Sequence, residues 1–217
     1  MLALLRKIRP LHKGSKRTDH PATLVTRGNN MGVAIAIDGV DRSGKTRLLT
    51  TLRAHYLVAP KNTELGIIPP TYEEREEWRA NTPIRRQVEA YIKSERAKAF
   101  WLASHDGVYL LDRSYATTAA HCSLLLGQPS LIHFFLRTMS YESHIAARFF
   151  LHVPNDGWKV IKERATNTQE GWDAVQSTIM NNLLYNHVGK QSTIIDSTQP
   201  ASTIDAIVHR VLQEHQW

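Results

Sequence analysis

Eight consecutive residues restrict this chain more than any other part of it. Gly39-Val40-Asp41-Arg42-Ser43-Gly44-Lys45-Thr46 fits the pattern G-x-x-x-x-G-K-[ST]. An apolar run, VAIAID at 33–38, precedes it, and Leu48, Leu49, Leu52 and Tyr56 follow at helical spacing. Strand, glycine loop and helix in that order form a cradle for phosphate. Gly39 and Gly44 let the backbone curl round the anion, and free N–H groups at the helix start face it. Gly39, Val40, Asp41, Arg42, Ser43, Gly44, Lys45 and Thr46 are therefore read as the ATP-binding loop. Lys45 reaches the β- and γ-phosphates, and Thr46 offers a hydroxyl to Mg²⁺.

The rest of the chain repeats that alternation. Apolar strands are expected at 33–38, 56–59, 107–112, 147–153 and 192–196. Helices are expected through 48–56, then at 72–80, 83–104, 114–125, 129–146, 156–164, 170–187 and 204–215. Strands that alternate with helices imply crossover connections, hence a parallel sheet. The strands are continuously apolar, so both sheet faces are covered. The expectation is one α/β domain over 32–217, with five parallel strands between helices.

Composition matters mainly for its distribution. The net charge is +7, but residues 1–31 hold seven Lys or Arg and one Asp, while 32–217 hold 20 basic and 19 acidic residues. The basicity belongs to an N-terminal extension. Its acid-poor, hydroxyl-containing start suits an organellar, for instance mitochondrial, transit peptide. A solvated tail on a cytoplasmic protein is the plainer reading, and a third reading begins translation at Met31. No aromatic precedes Tyr56, which argues against a stacking platform for single-stranded nucleic acid. Nucleic acid is not an expected partner. No apolar run is long enough to span a membrane. The single cysteine, Cys122, excludes an internal disulfide and a multi-cysteine zinc site. The eleven His form no H-E-x-x-H pattern. His121 and Cys122 read as packing residues, Phe134, Phe135, Phe149 and Phe150 as core, and the acidic run around Glu73–Glu77 as a solvated face.

Two loop residues carry further chemistry. Asp41 is repelled by a polyphosphate and so faces a second substrate. Arg42 is placed to fork across γ-phosphate oxygens, a role worth about 10³-fold or more in rate. Asp112-Arg113 end the third strand, and in open α/β sheets ligands bind beyond the carboxyl ends of strands. Asp112 would hold Mg²⁺ or take a proton, and Arg113 would grip phosphate. Asp41, Arg42, Lys45, Asp112 and Arg113 are the catalytic candidates, and Thr46 and Asp112 the metal candidates.

These residues resemble the thymidylate kinase family. Residues 35–46 (IAIDGVDRSGKT) are similar to that family's opening segment, in the type that carries Arg inside the phosphate loop. Pro60-Lys61-Asn62-Thr63-Glu64-Leu65-Gly66 resembles its F-P-x-R-x-T-x-x-G segment, one residue shorter. Ser94-Glu95-Arg96 resembles the helix whose Arg meets the acceptor. Leu111-Asp112-Arg113-Ser114-Tyr115 resembles its D-R-Y motif. The resemblance implies a three-layer P-loop kinase fold, ATP and Mg²⁺ as cofactors, dTMP as acceptor, and a homodimer. It implies that Asp41 meets the deoxyribose 3′-hydroxyl and that Pro60, Lys61, Arg96 and Arg113 line the acceptor nucleotide. Tyr91 or Ile92 would lie against the base, Arg164 would belong to a mobile lid over 162–170, and 196–200 would form the adenine-side loop. The chain departs from the pattern at Lys61-Asn62, where the family has Arg, and at Ser114. Asp-Arg-Ser also resembles deoxynucleoside kinases, so a nucleoside acceptor stays open, as does a non-catalytic nucleotide-binding protein.

Overall fold

A computed structural model describes residues 31–166 and 173–214. The basic extension at 1–30 and part of the expected lid, 167–170, lie outside these residues. Five strands form one sheet: β1 (Val33–Gly39), β2 (Leu57–Val58), β3 (Val108–Asp112), β4 (Ile145–His152) and β5 (Thr193–Asp196), in the order β2-β3-β1-β4-β5. Every pairing is parallel. The helices are α1 (Lys45–Leu52), α2 (Tyr72–Asn81), α3 (Ile84–Ser104), α4 (Tyr115–Leu125), α5 (Ile132–Met139), α6 (Trp158–Thr166), α7 (Ala174–Val188) and α8 (Ala201–Glu214).

Side chains alternate across a strand, and here that alternation divides two cores. Ile35 and Ile37 of β1, with Leu110, Phe149, Leu151 and Ile195, pack against Leu48, Leu49 and Leu52 of α1 and against Ile204, Val208 and Leu212 of α8. Ala34 and Ala36, with Tyr109, Leu111 and Phe150, meet α3, α4, α5 and α7 on the other face. The result is three layers with the sheet in the middle, as the sequence leads one to expect. No described helix is long and apolar enough to cross a membrane.

Boundaries move where tertiary contacts intervene. The expected helix at 129–146 is shorter, because α5 stops at Met139 and two short 3-10 turns flank it. Tyr141 turns inward instead, and its hydroxyl donates to Glu95 at 2.9 Å. Strand β4 consequently begins at Ile145, two residues early. Helix α1 ends at Leu52, since Tyr56 N–H already closes a turn on Leu52 O, leading into β2. Helix α7 begins after Asp173, whose side chain caps it by accepting from Gln176 N–H at 2.9 Å. Helix α2 carries a full capping box between Thr71 and Glu74 and buries none of its residues completely.

Candidate active site

The phosphate loop lies at the carboxyl end of β1, the central strand. Gly39 has φ 145°, and a Cβ there would come within 2.8 Å of both Leu151 O and Ser43 Oγ, so no larger residue fits. Gly44, at φ 97°, starts α1 in the left-handed region. Val40 is fully buried against Val153 and Ile161, which anchors the loop to α6. Lys45 is buried and its ammonium donates to Val40 O. Burial, with the Arg113 cation next in weight, brings its pKa down to about 7, against the opposing pull of Asp41, Asp112 and Asp38. A group so poised gains its proton most readily when an anion arrives. The Thr46 side chain is exposed beside the loop, and Ser43 Oγ is buried without a partner.

Asp41 and Arg113 meet across the mouth of the site in an ion pair. The Arg113 guanidinium, with Lys45 and Arg42 adding to it, holds the Asp41 carboxyl at about 2. Arg42 and Arg113 have φ 67° and 72°. Left-handed backbone costs a side-chain-bearing residue on the order of 1–2 kcal/mol, and strain of this kind gathers at functional sites. Arg164 of α6 donates to Arg42 O at 3.4 Å and to Ser197 O at 3.0 Å, so it ties the phosphate loop to the loop after β5.

Beside the phosphate loop, residues from distant segments gather. Lys61 Nζ lies 3.1 Å from Asp112 Oδ2, and Pro60 precedes it at the end of the short β2 connection. Tyr91 stands edge-on to Trp78 at 6.0 Å and to His121 at 5.0 Å. Burial pushes the His121 imidazole down to about 4, with the Arg79 and Arg113 cations adding to it, so the ring is neutral at pH 7. Arg79 also pairs with Glu76 and interacts with the Tyr91 phenol. Ile92 is buried in the core below this group. Arg96 is exposed on α3, and among the described residues no hydrogen bond or ion pair joins it to the others. The structure thus brings together Asp41, Lys45, Lys61, Asp112 and Arg113, with Tyr91 beside them.

Several participants escape a motif reading. Asp38, fully buried, accepts from Ser114 N–H and Oγ, accepts from Thr117 Oγ1, and lies 3.3 Å from Arg148 Nε. Glu95, also fully buried, accepts from Asn62, Thr118 and Tyr141 and pairs with Lys98. Arg148 sends two further bonds to Glu142, at 3.1 and 2.7 Å. Two signals for these residues exist in the sequence: a lone Arg inside an apolar strand, and a polar stripe at 114, 117, 118 and 121, which share one helical face. That stripe places His121 at the site, while the adjacent Cys122 is core and its thiol is pushed up by burial.

The donor set suits a hard cation held largely by phosphate. Thr46 and Asp112 offer oxygen, and among the described residues no three His, Cys, Asp or Glu side chains cluster. Asp38 has its oxygens engaged by protein donors.

Solved structures share this fold. A deoxyadenosine kinase from M. mycoides with bound dATP superposes at TM-score 0.56 and 14% identity, over 83% of this chain and 99% of that one. The same enzyme with bound dCTP matches at 0.57 and 12%, over 84% and 100%. A third form, with dCMP and a flexible dCDP, matches at 0.56 and 12%, over 84% and 99%. The fold is that of a P-loop kinase. No protein-family model and no curated protein matches the sequence.

Proposed function

We propose that the chain transfers the γ-phosphoryl group of ATP to a pyrimidine deoxynucleoside monophosphate, with dTMP as the acceptor that the sequence resemblance indicates. The observation that carries this reading is the charge of the acceptor side. Lys61, Arg79 and Arg113 stand around Asp41, Asp112 and His121, opposite Lys45. A monophosphate can compete with Asp112, Glu76 and Asp41 for these cations, whereas a neutral nucleoside leaves all three ion pairs as they are.

Phosphoryl transfer needs alignment and charge neutralisation more than covalent chemistry. Lys45 and Arg42 take the donor phosphates, Arg113 the transferred group, and Lys61 the acceptor phosphate. Asp41 orients the acceptor through its 3′-hydroxyl, and the flat faces of Tyr91 and His121 border the base. Arg164 draws α6 over the donor, which limits access of water. Thr46 and Asp112 would hold Mg²⁺, which would supply charge neutralisation for the phosphates. Arg96 enters the reading only through family resemblance.

A second reading, a deoxynucleoside kinase, draws support from Asp112-Arg113-Ser114 and from the substrates of the structural neighbours. An ADP-release assay with dTMP, dUMP, dCMP, thymidine, deoxycytidine and deoxyadenosine separates the two. Turnover of the monophosphates is expected, and turnover of nucleosides alone would overturn the first reading. ATP binding with no turnover on any acceptor would overturn both. We propose in addition that residues 1–31 direct the chain to an organelle. A reporter fused to them should concentrate there, and diffuse cytosolic signal would refute it.

A further inference from the structure

Arg113 is the pivot of the acceptor side, and its conformation is unusual. Its N–H donates to Ile37 O at 3.1 Å, which extends the β1–β3 ladder by one residue past Asp112. The backbone then passes through the left-handed region, and the guanidinium folds back onto Asp41. Nothing in an arginine favours that turn, so its ends must be held from outside. Ile37 holds the first end.

Asp38 holds the second. Its Oδ1 accepts from Ser114 N–H at 2.8 Å and from Thr117 Oγ1 at 2.6 Å. Its Oδ2 accepts from Ser114 Oγ at 2.6 Å. Ser114 Oγ in turn accepts from Ala116 N–H at 3.2 Å, so the same hydroxyl starts α4. The carboxylate is held in place by Arg148, whose Nε lies 3.3 Å from its Oδ2. Ala36 pairs with Arg148 in the β1–β4 register, and Asp38 lies two residues along β1 on the same face, where the small Ala36 leaves room for the long Arg148 side chain. Asp38 therefore has both carboxylate oxygens engaged by protein donors and no exposed surface.

We infer that Asp38 is a positioning residue: by fixing the Ser114 end of the left-handed turn, its carboxylate aims Arg113 at Asp41 and at the group being transferred. This inference rests on the phosphotransfer reading above for its consequence in turnover. The geometry on which it stands does not depend on that reading. The adjacent positions on β1 and β3 are the means: a strand that ends in Asp38-Gly39 supplies both the clamp for one loop and the first residue of the other.

The test uses the full chain with Ser114→Ala, Asp38→Asn and the conservative Ser114→Thr. Asp41 is followed by carbon NMR, because its carboxyl reports whether Arg113 is against it. In Ser114→Ala the Asp41 pKa should rise from about 2 toward the ordinary carboxylate value near 4. Turnover should fall about 100-fold with the ATP Kd unchanged within about twofold, and Ser114→Thr should restore both properties. On an Arg113→Ala background, Ser114→Ala should lower turnover less than about threefold further, since the group it aims is gone. Asp41 remaining near 2 in folded Ser114→Ala and Asp38→Asn would overturn the inference, as would losses that multiply with Arg113→Ala. Should Asp38→Asn fail to fold, Ser114→Ala decides alone. If wild type turns over no acceptor, the phosphotransfer reading falls, and the Asp41 titration still decides the positioning role.

Discussion

The two faces of the sheet are built on different principles. The side chains buried under α1 and α8 are all apolar, with Ile35, Ile37, Leu48, Leu52, Phe149, Leu151 and Val208 fully buried. The face under α3, α4, α5 and α7 buries two ionic groups as well as its apolar residues. Asp38 pairs with Arg148 there, and Glu95 with Lys98, and Tyr115 and Tyr141 join them. Both faces are equally dry, so the ionic one needs every charge answered. The difference shows what each side is for. The apolar face fastens the phosphate-loop helix to the sheet, which any P-loop domain requires. The ionic face fixes Asn62, Ser114 and Thr118, and through Ser114 the neighbouring Arg113, on the side of the proposed acceptor.

Several experiments would break or sharpen that contrast. Lys45→Ala should lower turnover by about 10³-fold or more with no loss of melting temperature, because Lys45 belongs to neither core, its buried ammonium opposes folding, and its proposed role is charge neutralisation at the donor. Preserved turnover would remove it from the mechanism. Glu95→Ala should cost about 3–5 kcal/mol in urea unfolding, since it leaves the Lys98 ammonium buried without its partner and three donors unanswered. A loss below about 1 kcal/mol would mean that the ionic face is not a coupled network. Leu52→Ala, on the apolar face two turns from Lys45, should cost about 2–5 kcal/mol, with turnover per folded molecule unchanged. A fall in turnover there would join the two faces functionally.

The smallest effect concerns pH. Lys45 is held at about 7 in the folded chain, below its ordinary 10.5. The unfolded chain therefore binds the proton more tightly between those values. The burial of this ammonium opposes folding fully below pH 7, and the penalty fades as pH rises from 7 to 10.5. Binding of ATP has the opposite sign, because the anion wants Lys45 charged. Affinity should weaken above pH 7 by up to about tenfold per unit, with proton uptake visible by calorimetry in buffers of different ionisation enthalpy. Lys45→Arg should bind ATP with no such slope, since guanidinium keeps its proton.

Much of the donor side is legible in the sequence because it is contiguous. Eight residues in a row, at a strand-to-helix junction, admit few other structures. Asp41, Lys61, Asp112 and Arg113 are legible as candidates, and the chain order places them near strand ends. His121 is harder: beside Cys122 it looks like one more packing residue, and only the helical stripe through Ser114, Thr117 and Thr118 separates the two.

The sequence by itself determined the alternation of strand and helix, the phosphate loop and the parallel sheet, because those depend on periodicity and on backbone freedom at Gly39 and Gly44. It could not determine which charges are buried together. Glu95 reaches Tyr141 across 46 residues, and Asp38 reaches Ser114 across 76. Pairings at such distances follow from strand register and helix packing, and they exist only once the sheet has closed. The same holds for the left-handed turn at Arg113, which local preference disfavours and which Ile37 and Asp38 hold from a neighbouring strand.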